Sequence, residues 1–286
     1  MVSLSSTSGM SDQHPLSMRI TVLGSGTSVG VPTIGCSCGV CRSSDPNDKR
    51  LRPSILVSYA EGATLRNIVI DTTPDFRQQA LTAGFTTLDA ILYTHAHADH
   101  IMGLDDVRPF NYGRLDRIPV YATPETLAAL RRVFSYAFEG EATHAGGVPR
   151  VAAHALNGDS VELFGAAFLP VPLIHGPQTT VGFRFGQAAY LTDFSDIPAS
   201  SLEHLRDLDV LFLDALRHEP HPMHTTVERA VQWVEELRPK KAYFTHICHQ
   251  LPHQETCASL PPNVELAYDG LRLEVSGANN AGGKDA

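Results

Sequence analysis

The sequence predicts a layered α/β protein in which stacked β-sheets are covered by helices. Two observations carry this: short apolar runs rich in β-branched residues occupy both halves of the chain, and helical patterns fall between them. A third observation is that residues 18–276 contain no internal repeat, low-complexity stretch or linker, which predicts one domain. Periodicity alone leaves a doubly wound sheet open as the alternative.

In chain order, MRITVLGS (18–25), SILVSYA (54–60), NIVID (67–71) and DAILYTH (89–95) are expected strands. Between the last two, Pro74 and Gly84 bracket PDFRQQALTAG into a short helix. IPVYA (118–122) is a further strand. TPETLAALRRVFSYAF follows as a helix with Thr123 as its cap and Pro124 at its first position, where a missing N–H costs nothing. RVAAHAL, SVELFG, AAFLPVPLI, TVGFRFG and AAYLTDF make a long β-rich stretch with turns between. DVLFLDAL (209–216) and KAYFTHI (241–247) flank an amphipathic helix with Val227, Ala230, Val231, Val234 and Leu237 on one stripe. Thr225-x-x-Glu228 is expected to open that helix as a capping box. Residues 1–17 and 277–286 are expected to be flexible tails, with Met10 and Met18 as alternative starts to Met1.

The chain of 286 residues is 43% hydrophobic, but no apolar run approaches the ~20 residues of a bilayer-spanning helix. Its first residues lack the charged-then-apolar pattern of an export signal, which predicts the cytoplasm and no membrane partner. The charge of -9, from 31 acids and 22 bases, gives no basic footprint for long nucleic acids. Bound divalent cations would reverse that sign locally, so small anionic substrates remain open. Monomer and homodimer are equally compatible with the sequence.

The strongest chemical signal is YTHAHADH, residues 93–100, at the end of an expected strand. In extended chain His95 and His97 point to one side and can share a cation. Asp99 and His100 follow and can face a second cation about 3.5 to 4 Å away, the spacing of two-metal hydrolytic sites. Without a metal, three buried histidines and an aspartate would leave polar groups unpaired, each costing roughly a few kcal/mol. The other cluster is GCSCGVC (35–41). In a reducing compartment Cys36, Cys38 and Cys41 are better metal ligands than disulfide partners, and a closed tetrahedral zinc site needs one more donor. Cys248 and His249, adjacent in THICHQ, are both candidates, and spacing does not choose between them. Cys257 is read as a core residue.

With its His-x-His-x-Asp-His run after a strand, the chain resembles the metallo-β-lactamase superfamily, which implies an αββα sandwich over residues 18–275. The resemblance implies that His95, His97 and His175 hold one divalent cation, and Asp99, His100 and His246 the other, with Asp193 bridging. The cations could be Mn or Zn, since imidazole and carboxylate accept both. Asp71 matches a family aspartate that orients a histidine ligand, while an Asx-turn is its plain structural reading.

GTSVGVPTIGCSCGVC, THAHADH, TDFSDIP and THICHQ together resemble the branch of the phosphoribosyl cyclic phosphate phosphodiesterases of the carbon-phosphorus lyase pathway. That branch implies a structural zinc held by Cys36, Cys38, Cys41 and His249, and a small, cyclic phosphodiester attacked in line by hydroxide held between two cations. Asp99 and His224 are the residues it places at the reacting atoms. His224, in HPMHTTVERA, matches a histidine that could protonate the leaving oxygen. A helix N-terminus and nearby cations oppose protonation there, so His224 either charges when anionic substrate binds or positions phosphate as a neutral donor. A simple hydrogen-bonding role at the helix entry is the third reading. Arg108 matches a family arginine and could clamp phosphate with His224, or pair with Asp105 or Asp106.

Two other functions compete. A lactonase or thioesterase could use the same cations on an acyl carbon, and fold does not separate these chemistries. A non-catalytic zinc protein related to pyrroloquinoline quinone synthesis resembles the same branch, but here all seven catalytic ligand positions are filled. His14, His144, His154, His204, His218, His221 and His253 receive no role.

Overall fold

A computed structural model describes residues 16–138 and 147–277 of the chain. His14, His144 and the greater part of both expected tails, residues 1–15 and 278–286, lie outside the described residues.

Two seven-stranded sheets stack face to face. The first runs, in spatial order, β14 (Arg272–Gly277), β1 (Leu16–Gly24), β2 (Ser54–Glu61), β3 (Thr64–Ile70), β4 (Ala90–Leu92), β5 (Ile118–Ala122) and β6 (Val151–Ala155). The second runs β13 (Val264–Leu266), β12 (Lys241–Thr245), β11 (Val210–Asp214), β10 (Ala188–Leu191), β9 (Gln178–Phe185), β8 (Ala166–His175) and β7 (Val161–Leu163). β14 through β3 are antiparallel and β3 through β6 parallel; β13 through β10 are parallel and β10 through β7 antiparallel. Two sheets rather than one exclude the doubly wound alternative.

Strand alternation explains the layers. In β3, Ile68 and Ile70 point into the core between the sheets, while Val69 points outward to a second apolar layer. β11 does the same, with Val210 and Phe212 inward and Leu211 and Leu213 outward. Strands buried on both faces must be apolar throughout, which is why these runs do not alternate with polar residues. The outer layer of the first sheet is closed by α2 (Phe76–Ala83) and α4 (Pro124–Val133), through Phe76, Leu127 and Leu130. That of the second is closed by α7 (Val227–Leu237), whose Val227, Ala230, Trp233, Val234 and Leu237 are buried. The result is the expected αββα sandwich. Short helices α1 (Gly39–Arg42), α3 (Ala98–Ile101), α5 (Ser135–Phe138), α6 (Ala199–Leu202) and α8 (His253–Ser259) complete the α-helices of the described residues, with 3-10 turns at Pro46–Asp48, Leu104–Asn111 and Glu203–Leu205. Among the described residues no helix is long and apolar enough to cross a membrane.

Several boundaries differ from expectation. Leu16 pairs with Gly277 and Ser17 with Ser276, so the sheet begins two residues before Met18 and uses Gly277 as well. The strand in DAILYTH ends at Leu92, because only Tyr93 N–H reaches back to Tyr121 O before the chain departs. His95 therefore stands in a loop. The helix expected through Phe138 breaks at the buried Phe134 into α4 and α5. Thr123 caps α4 as expected, its side chain accepting from Thr126 N–H. The cap of α7 is Thr226, not Thr225: Thr226 accepts from Arg229 N–H, Thr225 donates to Phe194 O, and Glu228 pairs with His218. No capping box forms.

This shift is testable by urea denaturation. Thr226→Ala is expected to cost about 1 kcal/mol, the usual loss for an N-cap hydroxyl. Glu228→Ala, which removes a surface pair, is expected to cost no more than about 0.5 kcal/mol. Equal costs would restore the capping box.

Candidate metal centres

The principal cluster gathers where strands end. Asp71 follows β3, Asp193 follows β10, Asp214 ends β11, His246 follows β12 and His175 ends β8. His95 and His97 lie in the loop after β4, and Asp99 and His100 occupy the turn of α3. All are at carboxyl ends of strands, the edge where layered α/β sheets place ligands. Asp71, Asp193 and His246 have φ of 66°, 54° and 58°, in the left-handed region that side chains rarely adopt. Such backbone costs roughly 1–3 kcal/mol each and is held by its surroundings.

The donors form two adjoining groups, His95, His97 and His175 in one and Asp99, His100, Asp193 and His246 in the other. His95 Nε2 and His97 Nδ1 lie 2.9 Å apart. Asp193 stands between the groups: Oδ1 is 3.9 Å from His95 Nε2 and 3.3 Å from His246 Nε2, and Oδ2 is 3.2 Å from His100 Nε2. The far nitrogens are anchored. His100 Nδ1 meets Asp71 Oδ2 at 2.7 Å, and His175 Nδ1 donates to Met223 O at 2.7 Å. Asp71 also accepts from the N–H and hydroxyl of Thr94. Asp71 thus joins His100 to the Thr94 segment of the loop after β4.

Burial opposes charge throughout this cluster, and the outcome depends on neighbours. Burial and then His100 hold His95 well below the ordinary histidine range. Burial likewise works against His100 and His246, but Asp193 and Asp99 outweigh it, holding His100 well above that range and His246 up at about 9. Asp193 stays far below the carboxylate range despite burial, because His246 and His100 flank it.

Divalent cations fit these residues. Asp99 Oδ2, His100 Nε2 and His246 Nε2 are buried with no hydrogen-bond partner among the described residues, although they converge. Asp99 Oδ2 is 3.1 Å from His100 Nε2 and 3.7 Å from His246 Nε2. Convergent, uncommitted imidazole and carboxylate donors are the donor set of a dinuclear site.

His224 adjoins this cluster: its ring is 4.5 Å from that of His246 and 4.9 Å from that of His175. Its Nδ1 lies 2.7 Å from Asp214 Oδ2, a contact that sequence reasoning missed. Asp214 is fully buried and Phe194 N–H also donates to it. The missed signal was present, since DVLFLD ends an apolar run in aspartate just as AYLTD and IVID do. Arg108 has Asp105 at 3.8 Å and the carbonyl of Gly147 as its partners among the described residues, the first being the ion pair offered as its alternative reading.

The second centre joins Cys36, Cys38, Cys41 and His249. His249 Nδ1 is 3.2 Å from Cys36 Sγ and 3.4 Å from Cys38 Sγ. The backbone N–H of Cys41 and then His249 draw the Cys38 thiol down to about 6, while burial pushes Cys41 up. Cys248 faces away, with Gln250 as its partner, so of the two claimants the fold brings His249 to the cysteines. Three cysteines and one histidine form a closed tetrahedral zinc donor set.

Arg50, unremarked in the sequence, holds the segment that carries His249. Its buried guanidinium donates to the carbonyls of Cys248 at 2.9 Å and Leu251 at 2.7 Å and pairs with Asp48. Asp48 in turn accepts from His253 N–H.

Residues 66–247 match the family described as the beta-lactamase superfamily domain. A diphosphatase from the PhnP family, known from its crystal structure, is 54% identical, with a TM-score of 0.85 over 91% of this chain and 98% of that one. Zn(2+)-bound PqqB from Methylobacterium extorquens shares the fold, with a TM-score of 0.72 at 20% identity over 90% of this chain and 100% of that one. An octanoyltransferase of Porphyromonas gingivalis (strain ATCC BAA-308 / W83) is 39% identical over 261 residues, 90% of this chain. The match covers 52% of that protein, so the chain spans about half its length. From the family match over residues 66–247 and the identity to a PhnP-family structure over nearly its full length, the chain belongs to the beta-lactamase superfamily, has the metallo-β-lactamase fold and is related to a diphosphatase of the PhnP family.

Proposed function

We propose that the chain hydrolyses a small, cyclic phosphodiester at a dinuclear centre held by His95, His97, Asp99, His100, His175, Asp193 and His246. The observation that supports this reading best is the Asp214–His224 pair beside the convergent donors. Two cations in that centre would supply hydroxide at neutral pH and offset charge on the phosphoryl oxygens. Asp99 and Asp193 hold the centre's negative charge, and Asp71 orients His100. Asp214 occupies Nδ1 of His224, so Nε2 is the nitrogen that exchanges a proton with the leaving oxygen. Zn is proposed for the site of Cys36, Cys38, Cys41 and His249, and Mn or Zn for the dinuclear pair.

The diphosphatase named among the relatives favours a second reading within the same chemistry, cleavage of a diphosphate P–O bond. Both readings rest on in-line displacement at phosphorus with His224 on the leaving side.

The deciding experiment is a hydrolysis panel with Mn- and Zn-loaded protein: ribosyl cyclic phosphate, a cyclic nucleotide, bis(p-nitrophenyl) phosphate, a nucleoside diphosphate, a lactone and octanoyl thioester. Turnover is expected on phosphoesters, and activity confined to the acyl substrates would sink the proposal. His224→Ala is expected to lose roughly 10²- to 10⁴-fold on a poor alkoxide leaving group and far less on nitrophenolate. Asp214→Asn should lose about 10- to 100-fold with metal content unchanged. Metal analysis is expected to give about three ions per chain. Cys36→Ser should lose one ion and weaken the hold on the others, because His246 and His249 share one turn of chain. Full retention of both remaining ions and of activity would separate the two centres.

A further inference from the structure

A cavity of about 810 Å³ opens beside the cysteine centre. Of the four donors there, Cys38 and His249 line it, whereas Cys36 and Cys41 do not. Its walls come from residues 38–48, from residues 249–255 and from Glu219 in the loop between β11 and α7. Gln250 Nε2 donates to Glu219 Oε2 at 3.2 Å and joins the last two. Walls so far apart in sequence meet only in the folded chain.

The walls carry Asp45, Asp48, Glu219 and Glu255 and, among the described residues, no lysine or arginine. Asp48 is compensated from beneath by the buried Arg50. The other three have no ion pair among the described residues: Asp45 accepts from Asn47 N–H, Glu219 from Gln250, and the Glu255 carboxylate has no partner. His253 adds a nitrogen to this acidic wall. It lines the same cavity and is 8% exposed; Nε2 lies 3.8 Å from Cys257 Sγ, and Nδ1 is buried with no hydrogen-bond partner among the described residues. A buried nitrogen left unpaired is costly unless a ligand meets it. Burial and then Arg50 hold the ring below the ordinary histidine range, against Asp45 and Asp48, which favours the neutral form that binds metal.

We propose that this cavity is the entry port of the cysteine centre: Asp45, Glu219 and Glu255 draw in a hydrated divalent cation, His253 Nδ1 takes it first, and Cys38 with His249 then receive it. This rests on the zinc reading of that centre given above. A cleft lined by one sign of charge concentrates the opposite ion and raises its association rate roughly 10- to 1000-fold. With a net charge of -9 the whole chain attracts cations, so what the cavity adds is direction. None of the seven donors of the histidine cluster lines it, so a cation entering here meets the thiols and not the dinuclear centre.

Replacement of zinc by cadmium in the fully metal-loaded protein tests this, each cadmium that enters displacing one zinc. The thiolate-to-cadmium absorption band reports the cysteine centre alone, because the histidine cluster has no thiol. At low ionic strength the second-order rate is expected to fall about tenfold in Asp45→Asn/Glu219→Gln/Glu255→Gln, and to return within about twofold of wild type in high salt, where exposed charges are screened. The final band should keep its intensity, since no donor is altered. Glu203→Gln/Glu235→Gln/Glu236→Gln removes the same charge elsewhere and should change the rate less than about twofold. His253→Gln should slow exchange at least about threefold at both salt concentrations, because loss of a ligand is not screened. Equal slowing by the two triple variants, or none by the first, overturns the port, and an unchanged rate in His253→Gln overturns the part given to that ring. If the wild-type protein develops no thiolate band, the zinc reading of the cysteines falls; if the band forms and the cavity variants form it as fast, the port alone falls.

Discussion

The structure depends on burying opposite charges together where two sheets meet. Asp71, Asp193 and Asp214 are almost wholly removed from water, as are His100 and His246. Alone, any of these groups would be expelled or neutralised, since an unpaired buried charge is too costly to keep. Together they hold one another: His100 lies against three carboxylates, and Asp193 lies against three imidazoles. Parallel strands from both sheets deliver these groups to one edge, and the left-handed backbone at Asp71, Asp193 and His246 turns them inward. The apolar layers make the edge rigid enough to sustain that strain.

Much of this was legible because the chemistry is contiguous. HAHADH puts four donors within six residues, and GCSCGVC three within six, so period and spacing alone identify two clusters. The alternation that distinguishes one buried sheet from two was not legible, because strands covered on both faces read as unbroken apolar runs either way. Residues acting through a single long-range contact were also hidden. Asp214 meets a histidine ten positions on, and Arg50 meets carbonyls near residue 250, and nothing around either residue marks those partners. The capping box failed for a related reason: Thr225 and Thr226 are both plausible caps, and only packing against Phe194 chooses between them. β13 has three residues, too few for any period to show.

The two centres differ in what surrounds them. The histidine cluster sits over dense apolar layers, whereas the cysteine loop packs on a small cluster of Val31, Val40 and its own cysteines. So few apolar groups leave the loop to be held by polar ties, among them Arg50 with Asp48 and the donor set around His249. His246 and His249 belong to the same short segment, so whatever orders one constrains the other.

Arg50 also bears on how the chain comes to be made. The carbonyls it grips are 198 and 201 residues further along, and the histidine facing Cys36 is 213 away. During synthesis the cysteine loop emerges first and its partners nearly last, at about 5–20 residues per second. For much of that interval its three thiols stand without the structure that later encloses them, exposed to whatever metal or oxidant the compartment supplies. A metal taken up by the loop in that interval would be held without His249, its fourth neighbour in the folded chain.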